Sequence, residues 1–423
     1  MTNLDRAALA PVSIRTTPAA ERLHFGIISL IAFLTLVDLF AAQAILPSLQ
    51  RQFAVSRATM GLAVNASTLG MAVAGLAVGI FGRSLDRRNG ISISLTLLAV
   101  PTALLAVTQD IMLFAGLRVA QGLCMATAFT LSMAYLAEHY PADRATGALA
   151  AYITGNVASN LFGRTLSAWV ADTGGLSINF LTFAVLNLAG AALVWTTLKR
   201  TEHIMPNRQM RSINGSWRCV LGNRGLQSML AVGFLILFVF IGTYTYVNFR
   251  LVELGLSSMQ LGLVYFVFLP SLFTTPLGGV ISRRLGAAPA ITLTLFVAIL
   301  GLIALLSSGL AVVLSGLALI AVGTFLAQAL VTGQVGHIAD IEKAAASGAY
   351  LASYYTGGLF GSLVVGQIYD HLGWSFCVLA LVLTLVIAIL MTLPLRTEPQ
   401  TIKSDYRNGH ETALPKSSGR THP

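Results

Sequence analysis

The sequence predicts an all-α membrane protein with twelve transmembrane helices in two six-helix, pseudo-symmetric halves. Hydrophobic residues make up 56% of the 423 residues and charged residues only 10%, whereas soluble domains carry roughly 25% charged residues. Mean hydropathy is +0.78. Apolar runs of about 20 residues, the length that crosses a bilayer, recur along the chain. A basic, polar segment divides these runs into two sets of six.

Each predicted span is an apolar run bounded by short polar segments. The spans are 24–47, 59–81, 91–108, 111–137, 147–171, 177–198, 226–248, 259–281, 288–307, 310–335, 347–368 and 374–394. The domains are an N-terminal tail 1–23, a first half 24–198, a linker 199–225, a second half 226–394 and a C-terminal tail 395–423. The first tail is polar and lacks the apolar core of a signal peptide.

The segment GRSLDRRNG, residues 82–90, sets the expected orientation. It is rich in arginine and cannot lie in hydrocarbon, so it must connect two helices at a membrane surface. The positive-inside rule places this surface in the cytoplasm. Nearly all other loop and tail Lys and Arg residues then fall on the same side, and Arg51, Arg57 and Arg250 fall opposite. We therefore expect both termini in the cytoplasm and the chain in the inner (plasma) membrane.

The same segment carries a motif. Gly82, Asp86 and Arg87 have the spacing of the G-x-x-x-D-R-x-G-R-R signature, and the segment resembles the loop between the second and third helices of the major facilitator superfamily. The match is partial, because Asn89 stands at the second glycine, although asparagine tolerates the left-handed conformation that the turn needs. The alternative is a generic arginine cluster that only fixes topology.

The second half repeats the pattern. In GVISRRLG, Arg283 and Arg284 occupy the offsets of Asp86 and Arg87, again between the second and third spans of a half. The resemblance implies two halves with a substrate site near the midplane between them. It also implies that Asp86 and Arg87 tie helix ends together and stabilise the outward-facing state. We expect Gly82, Asp86, Arg87, Arg283 and Arg284 to form a gating region.

Further motifs resemble those of the drug:proton antiporter branch. In the fourth span, Arg118 and Gln121 stand in RVAQG, which resembles R-x-x-Q-G, and Gln43 begins QAILP, which resembles Q-x-x-L-P. In the fifth span, Asn156 and Arg164 belong to G-N and G-R pairs similar to those of YnfM-type inner-membrane transport proteins, although a phenylalanine replaces one serine of that pattern. The resemblance implies transport but no particular substrate.

Three charged residues lie deep within predicted spans. They are Asp38, Arg118 and Arg164, and ionised groups at such depth cost roughly 2.5–3.5 kcal/mol each on insertion scales. Each lies eight or nine residues from the outer end of its span, or about 12–14 Å at 1.5 Å per residue. The three side chains are therefore at one level and can meet.

We predict that Asp38 is the proton-coupling carboxylate and that Arg118 controls its affinity for a proton. Burial disfavours the ionised form of a carboxylate and a nearby arginine favours it, so a change in their separation would load or release a proton. The alternative is a fixed Asp38–Arg118 ion pair that only holds the first and fourth spans together. Asp38→Asn would distinguish the two.

We also predict that Arg164 lies near a central cavity and favours an anionic or electron-rich substrate. The alternative is that Arg164 binds backbone carbonyls between the halves. Other polar residues of the spans are expected to face the cavity or to bond neighbouring helices. The expected cavity residues are Arg164, Gln121, Asn156, Asn248 and Tyr354.

The sequence argues against other classes of protein. The spans contain no H-E-x-x-H or G-x-S-x-G motif and the chain no Walker motif, so we expect no enzyme activity and no ATP-driven transport. The net charge of +10 reflects topology, and we expect no nucleic-acid partner. The three cysteines form no C-x-x-C pair, and no metal or other cofactor is implied.

The predicted function is secondary active transport. We expect a monomer in the lipid bilayer that uses the proton gradient to export a small molecule, such as a drug, sugar or metabolite. The alternative is a proton-coupled or facilitated importer of an organic anion or a sugar. Neither the substrate nor the direction of transport can be derived from the sequence.

Overall fold

The computed structural model describes residues 18–81, 86–140, 142–199, 222–338 and 343–392. Within these ranges the protein is built of helices and contains no β-strand. The predicted tails and linker lie almost entirely outside the described residues, as does Gly82.

The helices are numbered in chain order. Those of the first half are α1 (Pro18–Ala44), α2 (Leu46–Phe53), α3 (Arg57–Asn65), α4 (Ser67–Phe81), α5 (Arg87–Leu105), α6 (Ile111–His139), α7 (Ala142–Ala158) and α8 (Arg164–Thr197). Those of the second half are α9 (Arg224–Glu253), α10 (Ser258–Val264), α11 (Leu269–Thr274), α12 (Gly278–Leu285), α13 (Ala287–Ala304), α14 (Leu310–Ile338), α15 (Lys343–Leu372) and α16 (Trp374–Thr392).

The helices are consistent with the twelve predicted spans. In the described residues, nine helices are long and apolar enough to cross a membrane, and a bent pair between Met259 and Leu285 makes ten. One of the nine, 151–197, changes direction at Gly175, where φ is 85° and ψ is 172°. Glycine adopts this conformation without steric cost. That helix therefore contains parts of both the fifth and the sixth predicted spans, and α15 occupies the eleventh.

Several spans are interrupted near the middle of the bundle. The second predicted span is broken at Ala66, between α3 and α4. The fifth contains a π-helical turn, Ser159–Gly163, directly before Arg164. The eighth contains 3₁₀ turns at Tyr265–Phe268 and Thr275–Leu277. Such breaks free backbone groups and redirect side chains, and π-turns occur frequently at functional sites.

Glycines allow close helix packing within each half. A Cβ atom on Gly122 of α6 would overlap the backbone carbonyl of Ser67 in α4. In the second half, a Cβ on Gly357 of α15 would overlap the carbonyl of Phe234 in α9. Small residues at such positions let membrane helices approach until their backbones touch.

We expect Gly122→Ala to destabilise the first half, because the added methyl group forces α4 and α6 apart, at a cost of about 1–3 kcal/mol. Gly116→Ala is the matched control, since a Cβ there meets nothing within 4 Å and alanine favours helix by about 0.5–1 kcal/mol. Thermal unfolding in detergent should show a lower midpoint for Gly122→Ala only. Equal midpoints for the two variants would contradict the close packing.

Candidate functional site

Asp38 of α1 is buried in the first half, with 4% of its surface exposed. Its carboxylate accepts a hydrogen bond from Asn187 Nδ2 of α8 at 2.5 Å and a long one from Thr102 Oγ1 of α5 at 3.4 Å. Among the described residues, the Asp38 carboxylate forms no salt bridge. Two neutral side chains are therefore its hydrogen-bond partners.

Arg118 of α6 is also buried, and its guanidinium donates to several acceptors. Because α3 ends at Asn65, carbonyls of its last turn lack helical partners, and Arg118 Nε donates to one of them, that of Val64, at 2.8 Å. The other acceptors are the carbonyl oxygens of Asp38 at 3.2 Å and Leu39 at 3.3 Å, Gln121 Oε1 at 2.7 Å and Ser67 Oγ at 3.1 Å.

The two predicted coupling residues thus meet, but not as an ion pair. Arg118 contacts the backbone oxygen of Asp38, whereas the carboxylate turns toward Asn187 and Thr102. Gln121 Nε2 donates to Thr102 Oγ1 at 2.7 Å and so connects the two groups. The structure therefore differs from the alternative expectation of a fixed Asp38–Arg118 salt bridge, because backbone and amide oxygens already satisfy the guanidinium.

Arg164 begins α8 directly after the π-turn and is fully buried. Its Nη2 donates to Gln43 Oε1 at 2.5 Å. Its Cζ lies 4.5 Å from the ring centroid of Tyr265 and between 5.3 and 5.4 Å from those of Phe40, Tyr244 and Phe268. Cation–π contacts of this kind contribute about 0.5–2 kcal/mol each. Arg164 is therefore held by aromatic rings and one amide.

Gln43 also belongs to a polar network that joins the two halves. Its Nε2 donates to Asn65 Oδ1 at 2.6 Å. Asn65 Nδ2 lies 3.0 Å from Thr245 Oγ1 and 3.1 Å from Ser362 Oγ, which are in the second half. Asn248 Nδ2 donates to the backbone oxygen of Gln43 at 2.9 Å. All these side chains are buried, so the network replaces the hydration that they would have in water.

A narrow central cavity, with room for about 30 Å³ of water-sized occupants, lies between the halves. Most of its lining is apolar or aromatic. The lining residues are Leu36, Leu39, Phe40, Thr68, Asn156, Ile236, Leu237, Phe240, Ile241, Thr324, Phe325, Gln328, Tyr354 and Tyr355. No charged side chain is among these described residues.

Some of the predicted substrate residues line the central cavity and others do not. Asn156 and Tyr354 line it. Gln121 instead bonds Arg118 and Thr102, and Asn248 bonds Gln43 and accepts from Tyr265. Arg164 lies behind the wall, in contact with Phe40. The last three therefore occupy packed networks in this state.

Polar and cation–π contacts join the halves at one end of the bundle, here called the Arg57 face. The halves also pack together beyond this end, where α4 lies against α15 and a Cβ on Gly75 would lie 3.3 Å from Leu351 Cβ. Arg57 Cζ lies 5.4 Å from the Phe249 ring centroid and 4.9 Å from that of Tyr369, and its Nη2 lies 3.7 Å from Glu253 Oε1. Asp370 Oδ2 accepts from the N–H of Ala58 at 3.0 Å. These contacts join α3 of the first half to α9 and α15 of the second. Together we call them the Arg57 seal.

The opposite end, the Asp86 face, carries the predicted gating residues. Asp86 caps α5 by accepting from the Asn89 N–H at 2.8 Å. Arg87 Nη2 pairs with Glu138 Oε1 of α6 at 2.8 Å, so it ties two helix ends within the first half. Arg283 and Arg284 are exposed at the end of α12. Nearby, burial and then Tyr135 raise the pKa of Tyr140 to about 12, so its hydroxyl is neutral at physiological pH.

Sequence reasoning missed the neutral partners of Asp38 and the residues that bond to Gln43 and Asn65 in the network between the halves. Thr102, Asn187, Asn65, Thr245 and Ser362 are single polar residues within apolar spans. Their position in hydrocarbon is the only signal that could have marked them, since a polar side chain there needs a partner. Which partner each takes depends on helix packing.

The long apolar helices, the buried charges and the cavity between two halves define a multi-pass membrane transporter. The sequence profile of the Major Facilitator Superfamily matches residues 28–350, and the chain belongs to that family. It is a transporter rather than an enzyme.

Known transporters are similar in sequence to this chain over most of its length. It is 26% identical over 380 residues to the inner membrane transport protein YnfM of Escherichia coli, covering 89% of this chain and 91% of YnfM. It is 24% identical over 376 residues to the uncharacterized MFS-type transporter YybF of Bacillus subtilis, covering 88% and 93%.

A solved structure shares the fold. It is a bacterial homolog of the human lysosomal transporter Spinster in an inward-facing, unoccupied conformation. The TM-score is 0.69 at 14% identity, and the match covers 89% of this chain and 97% of that one. At this identity the likeness supports the fold alone.

We expect Arg118→Lys to destabilise the first half by about 2 kcal/mol or more. A lysine ammonium cannot bond all the oxygens that the guanidinium bonds, and each hydrogen bond to a charged group contributes about 1.5–3 kcal/mol. Arg51→Lys is the control, since Arg51 is exposed and its one side-chain hydrogen bond among the described residues is to Ser48 Oγ, at 3.3 Å. Thermal unfolding in detergent compares them. An unchanged midpoint for Arg118→Lys would contradict the anchoring role.

Proposed function

We propose that the protein is a proton-coupled exporter that works by alternating access. The single observation that carries this proposal is the buried Asp38 carboxylate, which has neutral hydrogen-bond partners and no salt bridge among the described residues. An ionised acid at such depth is costly in a membrane, so it is retained for a function.

The partners of Asp38 suit a group that gains and loses a proton. Asn187 donates from Nδ2 to the carboxylate, while its buried Oδ1 has no hydrogen-bond partner. After a rotation of the amide, that oxygen would accept a hydrogen bond from the protonated acid, because an amide offers both donors and an acceptor. Asn187 can therefore stabilise either form of Asp38. A permanent ion pair would favour only the ionised form.

We propose that Arg118 transmits a change in the protonation of Asp38 to the helices α1, α3 and α4. Its guanidinium donates to the carbonyl oxygens of Asp38 and Leu39 and to groups on α3 and α4. When Asp38 takes up a proton, the attraction between the two side chains disappears and only these hydrogen bonds remain. This loss of attraction acts on the helices where α1 meets the break between α3 and α4, close to the interface of the halves.

The orientation follows from the arginine distribution. We place the Asp86 face in the cytoplasm by the positive-inside rule and therefore the Arg57 face outside. With this placement, the Arg57 seal closes the outer side, and the protein is in a state that is closed to the outside. The name of YnfM supports location in the inner membrane.

The central cavity suggests the kind of compound that is moved. Aromatic and aliphatic side chains make up most of its lining, with Asn156 and Gln328 as the amide-bearing groups. Binding sites of this composition bury apolar surface and use a few polar groups for orientation. A sugar would need many more hydrogen-bonding groups. We therefore favour export of an apolar or aromatic compound over uptake of a sugar.

We expect Asp38→Asn to abolish proton movement that accompanies transport, because an amide cannot carry a proton between the two sides. The purified protein in lipid vesicles with an entrapped pH dye is given benzenesulfonate, benzenesulfonamide or benzyltrimethylammonium, which are anionic, neutral and cationic aromatic probes. Asp172→Asn, at an exposed aspartate, is the control and should behave like wild type. Undiminished proton movement in Asp38→Asn would refute the coupling role.

A further inference from the structure

Within the part of the chain that the structure describes, Arg164 is a buried positive charge without an acidic partner. Its side chain is fully buried, and no carboxylate lies within 4.0 Å of it among the described residues. Nη2 bonds Gln43 and the Tyr265 hydroxyl lies near the guanidinium, but neither Nε nor Nη1 forms a hydrogen bond of good geometry. Arginine stays protonated in proteins, so it cannot lower this cost by losing its proton. Unused donors on a buried cation are retained at a cost, which points to a use in another state.

The aromatic rings that cover the Arg164 guanidinium belong mainly to the second half. Arg164 belongs to the first half, whereas Tyr244, Tyr265 and Phe268 belong to the second. Of the four rings around the guanidinium, only Phe40 lies in the first half. Separation of the halves at the Arg57 face would therefore remove three rings and uncover the cation, while Gln43 would remain bound.

Arg164 lies directly beyond the aromatic end of the central cavity. Phe40 both lines the cavity and contacts the guanidinium. Phe240 also lines the cavity, and its centroid lies 4.7 Å from that of Tyr244 and 5.9 Å from that of Phe268. One layer of rings thus separates the uncharged cavity from the charge. A compound in the cavity would be next to Arg164 once that layer opens.

We propose that Arg164 is an anion-binding residue, uncovered when the halves separate at the Arg57 face, and that the transported compound has an aromatic or apolar body and one anionic group. This inference rests on the proposed transport function and names its substrate class. When the halves separate, the space between them widens and accepts the apolar body, and the uncovered N–H groups bind a carboxylate, sulfonate or phosphate by charge-assisted hydrogen bonds. The aromatic cover replaces the anion when the site is empty.

Benzenesulfonate and benzenesulfonamide test this assignment by equilibrium titration of the purified protein in lipid nanodiscs without a proton gradient. They share a ring, but only the sulfonate is charged. We expect Arg164→Gln to weaken benzenesulfonate binding at least tenfold and to leave benzenesulfonamide binding unchanged, with Arg164→Lys retaining part of the sulfonate affinity. Equal sulfonate affinity in wild type and Arg164→Gln would overturn the site.

Arg57→Ala tests whether the site is uncovered by opening. Loss of the Arg57 seal should raise the open fraction, and apparent affinity rises with that fraction. We expect benzenesulfonate to bind several-fold more tightly to Arg57→Ala than to wild type, and not to Arg57→Ala/Arg164→Gln. Unchanged affinity in Arg57→Ala would overturn the state dependence.

Phe268→Leu is a second variant that tests the same site if Arg164→Gln does not fold. It leaves Arg164 in place and reduces only the cover, so we expect tighter binding of benzenesulfonate and no change for benzenesulfonamide. A sulfonate affinity equal to that of wild type would count against the proposal. Because binding is measured without a gradient, failure here is distinct from failure of Asp38 as the proton carrier, which the vesicle experiment reports.

Discussion

A charge within hydrocarbon must be compensated by the protein, and the three buried charges meet this constraint in different ways. Arg118 is satisfied by carbonyl, amide and hydroxyl oxygens and anchors the first half. Asp38 has neutral partners that suit two protonation states. Arg164 is covered by rings that belong mostly to the other half. We propose that Arg118 keeps these partners and responds to the charge of Asp38, whereas Asp38 and Arg164 change partners during transport.

The polar and cation–π contacts between the halves are concentrated toward one face, although α4 and α15 also pack against each other between the halves. The Asn65 and Asn248 hydrogen bonds, the rings around Arg164 and the Arg57 seal lie from mid-depth to one face of the bundle. The apolar central cavity lies next to this zone. Polar and cation–π contacts can be exchanged for water when the halves part, so such an interface can open at a lower cost than one of interlocked apolar side chains.

The sequence predicts the fold well because bilayer thickness and the cost of buried polar groups leave few choices. Composition and twelve apolar runs indicate the helical membrane class, and the depth of Asp38 and Arg118 correctly indicates that they lie close together. The partners of each side chain could not be predicted, because they depend on helix rotation: Asp38 faces Asn187 rather than the guanidinium. The rings over Arg164 come from residues 80 to 124 positions away, and no local pattern marks them.

The most direct test of this mechanism asks whether the proton state of Asp38 moves the halves. Spin labels at Arg51 of α2 and Met259 of α10, both exposed and on the Arg57 face, report the distance across the seal by pulsed electron paramagnetic resonance in lipid. We expect the distance distribution of wild type to differ between pH 6 and pH 8, and that of Asp38→Asn to be the same at both values. An identical response to pH in the two proteins would contradict Asp38 as the group that couples protons to alternating access.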